Sequence, residues 1–121
     1  MPRARRNAGD IGRRYEAQAA LFFEQNGYVV RARNWRAGHK EIDLVVQKGK
    51  AVVFVEVKAS RTDTFGHPSE KVTHKKIQNL TQAARQYLID EGIDEAELRF
   101  DVVTFTEGKL EHYPGAFEAA D

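Results

Sequence analysis

The chain of 121 residues has no cysteine, a single methionine, a single tryptophan and only three prolines. Without thiols there is neither a disulfide framework nor a thiolate metal centre, so a metal ion here must rely on oxygen or imidazole ligands. No apolar run is long enough to span a bilayer, and no apolar stretch follows the basic N-terminus as it would in a secretion signal. Internal repeats and low-complexity segments are also missing. These absences leave a globular, cytoplasmic protein with no membrane partner. At this length one domain with one core is expected.

What is present is unevenly distributed. The formal net charge is only +1, but residues 1–86 hold 17 Lys and Arg against 8 Asp and Glu, a balance of +9. Residues 87–121 hold 2 against 10, a balance of −8. A basic body with an acidic C-terminal third suits a polyanionic partner, nucleic acid and above all DNA.

The stretch Glu41 to Lys58 organises the rest. Val, Ile and Phe dominate two arms around Lys48-Gly49, which predicts a β-hairpin. With Gln47 and Lys50 flanking the turn, Asp43 falls opposite Phe54 and Glu41 opposite Glu56. Alternation then puts Asp43, Phe54, Glu56 and Lys58 on one face, with Asp43 and Glu56 as diagonal neighbours about 7–8 Å apart at Cα. Two acids and a lysine on one side of an apolar hairpin are poor packing and useful chemistry. Carboxylates hold a hard cation such as Mg²⁺, with Mn²⁺ as the alternative, and a lysine beside them stabilises developing charge or orients a water.

Around this hairpin the order α-β-β-β-α-β-β is predicted: an α/β protein whose mixed sheet is flanked by helices. Residues 1–8 read as a basic flexible arm, 9–117 as the domain and 118–121 as a loose tail. The first helix runs from about Asp10 to Asn26, with Ile11, Tyr15, Ala19, Phe22 and Phe23 as its core stripe and Glu16 at the margin. A strand at Tyr28–Arg33 leads to the basic loop Asn34–Lys40, which contains Trp35 and His39. A second helix, Val72 to Asp90 with a start as early as Ser69, buries Ile77, Leu80, Ala84, Tyr87 and Leu88. Its first turn carries Lys75 and Lys76, the wrong sign for a helix N-terminus unless a phosphate is met there. Strands at Leu98–Phe105 and Lys109–Tyr113 follow, the latter ended by Pro114-Gly115. Asp101 is expected to be a structural acid. Arg33, Arg36, Lys40, Arg61, Lys71, Lys75 and Lys76 are the expected nucleic-acid contacts.

Asp43 followed by Glu56-Val57-Lys58 on the next strand resembles the Asp…(Asp/Glu)-x-Lys signature of the PD-(D/E)xK nuclease superfamily. Together with Gly12…Glu16, Gly27-Tyr28, Arg33-Asn34-Trp35-Arg36, Glu41-Ile42-Asp43-Leu44 and Arg99-Phe100-Asp101-Val102-Val103, the ordered set resembles the YraN-like family of small bacterial proteins, itself similar to archaeal Holliday junction resolvases. The resemblance implies a restriction-endonuclease-like core. It also implies Glu16, Asp43, Glu56 and Lys58 as the catalytic set, with Asp43, Glu56 and Glu16 on the metal. Where the family usually reads Gly-Glu-Ile-Asp, this chain has Lys40 in place of the glycine.

Three functions remain open on the sequence. The first is a Mg²⁺-dependent endonuclease of structured, branched DNA. The second is a non-catalytic nucleic-acid-binding module that retains a nuclease-like site, and the third is a structural protein with a surface ion-pair network. A homodimer would suit symmetric cutting of a branched substrate. Phe22, Phe23, Val102, Val103 and Phe105 are its candidate apolar surface.

Overall fold

The computed structural model describes residues 8–60 and 72–121. Helix α1 (Ala8–Gln25) forms where apolar residues recur at helical spacing, and Tyr15, Ala19, Phe22 and Phe23 all join one core cluster. The side chain of Ile11 lies outside the described residues. Gly27, at φ +89°, turns the chain out of the helix, and its N–H donates to the Glu24 carbonyl at 3.1 Å. A Cβ at Gly27 would also meet the Lys48 side chain at 3.3 Å.

Strands β1 (Val29–Ala37), β2 (Lys40–Lys48) and β3 (Ala51–Ser60) follow, then helix α2 (His74–Asp90) and strands β4 (Glu97–Thr106) and β5 (Lys109–Phe117). The order is the expected α-β-β-β-α-β-β. One five-stranded sheet runs β1-β2-β3-β4-β5, with β3 and β4 parallel and all other neighbours antiparallel. Helix α2 is the crossover that a parallel pair requires.

The helices cover opposite faces of the sheet. Phe23 of α1 packs with Leu44, Val46, Val53 and Val55, whereas Leu80 and Tyr87 of α2 pack with Val45, Val52 and Phe54. A strand covered on both sides reads as a continuous apolar run, and Val52 to Val55 are all but fully buried. The same holds for β4, where Val102, Val103 and Phe105 are buried within the single chain, as is Phe23. Phe22 packs edge-on against His112, at 5.4 Å between ring centroids. These residues therefore belong to the protein's own core and leave little apolar surface for the dimer contact expected of them.

Several boundaries differ from expectation, each for a local reason. Lys48 pairs with Ala51, so the hairpin turn is Gly49-Lys50, not Lys48-Gly49. Gly49, at φ +60°, takes the first central position, the one where a glycine frees a tight hairpin turn of strain. Strand β1 continues through Asn34 to Ala37, and only Gly38 and His39 remain as the turn, because Trp35 pairs with Ile42 and packs edge-on against Tyr87. Pro114-Gly115 does not end β5. The ladder shifts register there and resumes at Phe117, which stacks on Phe100 at 5.1 Å. Helix α2 begins at His74 because the Thr73 hydroxyl accepts the Lys76 N–H at 3.1 Å; Ser69 lies outside the described residues. Residues 118–121 have no regular structure, yet they are docked: the Ala120 N–H donates to Thr81 Oγ1 at 2.9 Å.

Candidate active site

On β3, Val53, Val55 and Val57 face α1, so Phe54, Glu56 and Lys58 face α2. Glu56 is buried directly beyond the apolar run. Lys58 places its Nζ 3.8 Å from Glu56 Oε2. Across the sheet the hairpin register is two residues away from expectation. The ladder pairs Leu44 with Val55 and Val45 with Phe54, so Asp43 comes level with Glu56 instead of Phe54. A two-residue shift preserves the alternation, but the ladder stops after Leu44 and Val55 although both strands continue. From there β2 stays with β1 and β3 stays with β4, and the sheet divides.

Asp43 occupies that division. Its Oδ2 accepts the Val57 N–H at 2.8 Å, taking the place of a ladder carbonyl. The regular alternation of β2 also breaks here. Leu44 and Val46 face α1 and Val45 faces α2, yet Ile42 packs on the α2 side. The acids therefore meet at a split in the sheet, and not by standing on one regular pleat as the alternation predicted. Burial, reinforced by the negative charge of Glu56, pushes the Asp43 carboxyl up to about 7. The Val57 amide acts against this, Glu16 adds to it, and the Lys76 ammonium partly offsets it.

Glu16 reaches the same region from α1. Burial raises its carboxyl above the ordinary range, against a hydrogen bond from the Asn34 side chain, while the charge of Glu41 pushes in the same direction as burial. Glu16 Oε1 is buried without a hydrogen-bond partner among the described residues, a costly state for a carboxylate. Asn34 sits at φ +53°, a left-handed conformation that asparagine tolerates better than most residues. That turn in β1 presents its amide to Glu16.

Lys76 is the residue whose place the sequence did not disclose. Expected only as a nucleic-acid contact, it reaches down from the first turn of α2 and lies 3.2 Å from Glu56 Oε2, closer than Lys58 does. Lys75 is exposed beside it. Arg33 is exposed on β1, and its charge reaches Glu16. Arg36 pairs with Glu41 at 3.8 Å. Lys40 opens β2 next to that pair. Arg61 and Lys71 lie outside the described residues.

Among the described residues no three acidic or histidine side chains already converge as a closed metal shell. The donor set nevertheless suits a hard cation. It offers carboxylate oxygens alone, one of them buried and unpartnered, and an aspartate destabilised by neighbouring negative charge. Asp101 is different in kind. It is fully buried, accepts from Arg99 Nε and Nη2 at 2.8 and 2.7 Å and from the Gly115 N–H at 2.9 Å, and contacts His112 Nε2 at 2.7 Å. Both its oxygens are engaged, as befits the structural acid expected there.

Comparison with known proteins adds three findings. The sequence model described as "Uncharacterised protein family UPF0102" matches residues 15–105. A UPF0102 protein of Myxococcus xanthus is 36% identical over 122 residues, covering 98% of this chain and 94% of its own, and one of Serratia proteamaculans is 40% identical over 111 residues, covering 90% and 95%. Among solved structures, Archaeoglobus fulgidus Hjc, a Holliday junction resolvase, superposes with a TM-score of 0.52 at 16% identity, covering 91% of this chain and 78% of Hjc. At that identity the likeness is one of fold.

Proposed function

The chain belongs to the UPF0102 family and has the fold of Hjc, and on that footing we propose that it is a metal-dependent endonuclease hydrolysing phosphodiester bonds of structured, branched DNA. The observation that carries this reading is Asp43. It leaves the strand ladder to face Glu56 in a split of the sheet, where its charge is opposed by burial and by two other acids. A purely structural acid would be satisfied in the manner of Asp101.

Asp43 and Glu56, with Glu16 alongside, are the residues that would hold Mg²⁺ or Mn²⁺. Held there, such an ion would supply charge neutralisation for the phosphoryl oxygens and a more acidic water. Lys58, 3.8 Å from Glu56, would orient the attacking water and stabilise charge as it develops on the phosphoryl group. Arg33, whose charge reaches Glu16, Lys76 at Glu56 and the exposed Lys75 next to it in sequence would position the phosphate backbone. A branched substrate offers two strands to cut, and two copies related by a two-fold axis would present one site to each.

Incubation with single-stranded, duplex, flap and four-way DNAs, each with Mg²⁺ or with chelator, tests the proposal. Cleavage of branched DNA should require the ion and should be lost in both Asp43→Asn and Lys58→Ala. Tight binding without cleavage of any substrate would favour a nucleic-acid-binding module that keeps a nuclease-like site. Sedimentation with and without the four-way DNA reads the assembly.

A further inference from the structure

The best ion pair at the acid site is made by Lys76, a residue on neither strand of the acidic hairpin. Its Nζ lies 3.2 Å from Glu56 Oε2, and the Lys58 ammonium is farther from the same oxygen at 3.8 Å. Among the described residues, no acid on α2 pairs with the Lys76 ammonium in its first turn, and a cation is disfavoured at that end of a helix. Glu56, twenty residues earlier in the chain and on the sheet, is the group that compensates it. Exposure differs sharply across the pair: the Lys76 side chain is 45% exposed and that of Glu56 8%. An incoming phosphate can therefore reach the ammonium but not the carboxylate. An ammonium has three donors and no fixed geometry, so it can turn from the buried acid to a phosphate at the surface without any backbone movement.

We propose that Lys76 is the resident counter-cation of the acid pair, occupying Glu56 until a phosphate of bound nucleic acid draws it away. The inference rests on the reading of the site as a metal-dependent nuclease and adds how that site is regulated. Without nucleic acid, Lys76 competes with a divalent cation for Glu56. With nucleic acid bound, the lysine is engaged elsewhere and the carboxylate is free to act as a ligand. Each ligand then strengthens the other by the same factor, as linkage requires. The cation is thereby loaded where a substrate is already in place.

The test is calorimetric titration of the full chain with Ca²⁺, alone and in the presence of a synthetic four-way DNA junction, at fixed ionic strength. The wild type should bind Ca²⁺ about tenfold more tightly with the junction, the size of effect expected when one charge-assisted contact is relieved. Lys76→Gln should bind Ca²⁺ about tenfold more tightly than wild type without DNA, and the junction should add about twofold or less. Lys76→Arg, which keeps the charge, should restore the wild-type dependence on DNA. Lys50→Gln removes one charge in the turn just before β3, at the end of that strand away from Glu56, and should change neither titration. Two results overturn the proposal while leaving the nuclease reading intact: Lys76→Gln indistinguishable from wild type without DNA, or tightened equally with and without DNA, which is mere charge repulsion. No Ca²⁺ binding by wild type or Lys76→Gln in either condition would overturn both.

Discussion

Replacing Asp43 by Asn should make the protein more stable, and the gain should depend on pH. The Asn carbonyl can still accept the Val57 N–H that Asp43 accepts at 2.8 Å, so the backbone contact survives and the charge is lost. The carboxyl is pushed from 3.8 up to about 7, first by burial and then by Glu56. Each unit is worth about 1.36 kcal/mol, so the full displacement sets a ceiling of about 4 kcal/mol. The acid pair shares its protons, which spreads the effect over both groups; a gain of about 2 kcal/mol at pH 7.5 is expected. The sign follows from the direction of the shift. A carboxyl raised in the folded state imposes no penalty below its unfolded value near 4, a growing one as pH rises towards 7, and a constant one above. Stability of the wild type relative to Asp43→Asn should therefore fall from pH 4 to pH 7 and then level off. Urea unfolding in metal-free buffer at pH 4, 5.5 and 7.5, followed by far-UV circular dichroism, measures this as a shift in midpoint at constant slope. A less stable Asn variant at pH 7.5, or a gain that is the same at all three pH values, would refute the electrostatic account of the site.

Asp101→Asn should act in the opposite direction and lose about 2–3 kcal/mol, because it leaves the partly buried Arg99 guanidinium without its anionic partner, with the Tyr28 hydroxyl still beside it; the same urea titration reads it. Burial alone would raise the Asp101 carboxyl, but His112, Arg99 and the Gly115 amide hold it below its ordinary value. Its stabilisation is thus complete above about pH 4 and disappears as pH falls through the lowered value, so Asp101→Asn should lose most of its deficit in strong acid. Thr73→Ala removes the hydroxyl that caps α2 and should cost about 1 kcal/mol in thermal or urea unfolding. DNA affinity measured by fluorescence anisotropy should fall steeply with salt, and Lys75→Ala should reduce the slope of log K against log salt by about 0.9. An unchanged slope would place the DNA elsewhere.

The order of elements was legible in the sequence because each element carries its own periodicity. Helix α1 repeats its aromatics at helical spacing, and β3 is apolar without interruption because it is covered on both faces. Against that uninterrupted run Glu56 and Lys58 stand out, and Asp43 stands out on the facing arm for the same reason. Glycine at 49 announced a turn but not which pair of residues would occupy it. Gly-containing alternatives one residue apart differ little locally and put the same side chains on each face, so only the ladder that forms, with Lys48 paired to Ala51, distinguishes them.

Other features of the site depend on groups distant in the chain. Pro114-Gly115 reads locally as a strand end, but Asp101 accepts the Gly115 N–H and Phe100 stacks on Phe117, so the strand continues. Asn34 reads as a loop residue, yet it bends a strand towards Glu16. The basic start of α2 is visible as a charge run, but its destination is not, since an ammonium on a flexible stem has no sequence signature for its partner. The residues themselves therefore determined which side chains are candidates for the proposed chemistry. Only the tertiary structure decided that the sheet splits at Asp43 and that Lys76 closes over Glu56, because both follow from packing between segments that do not adjoin in the chain.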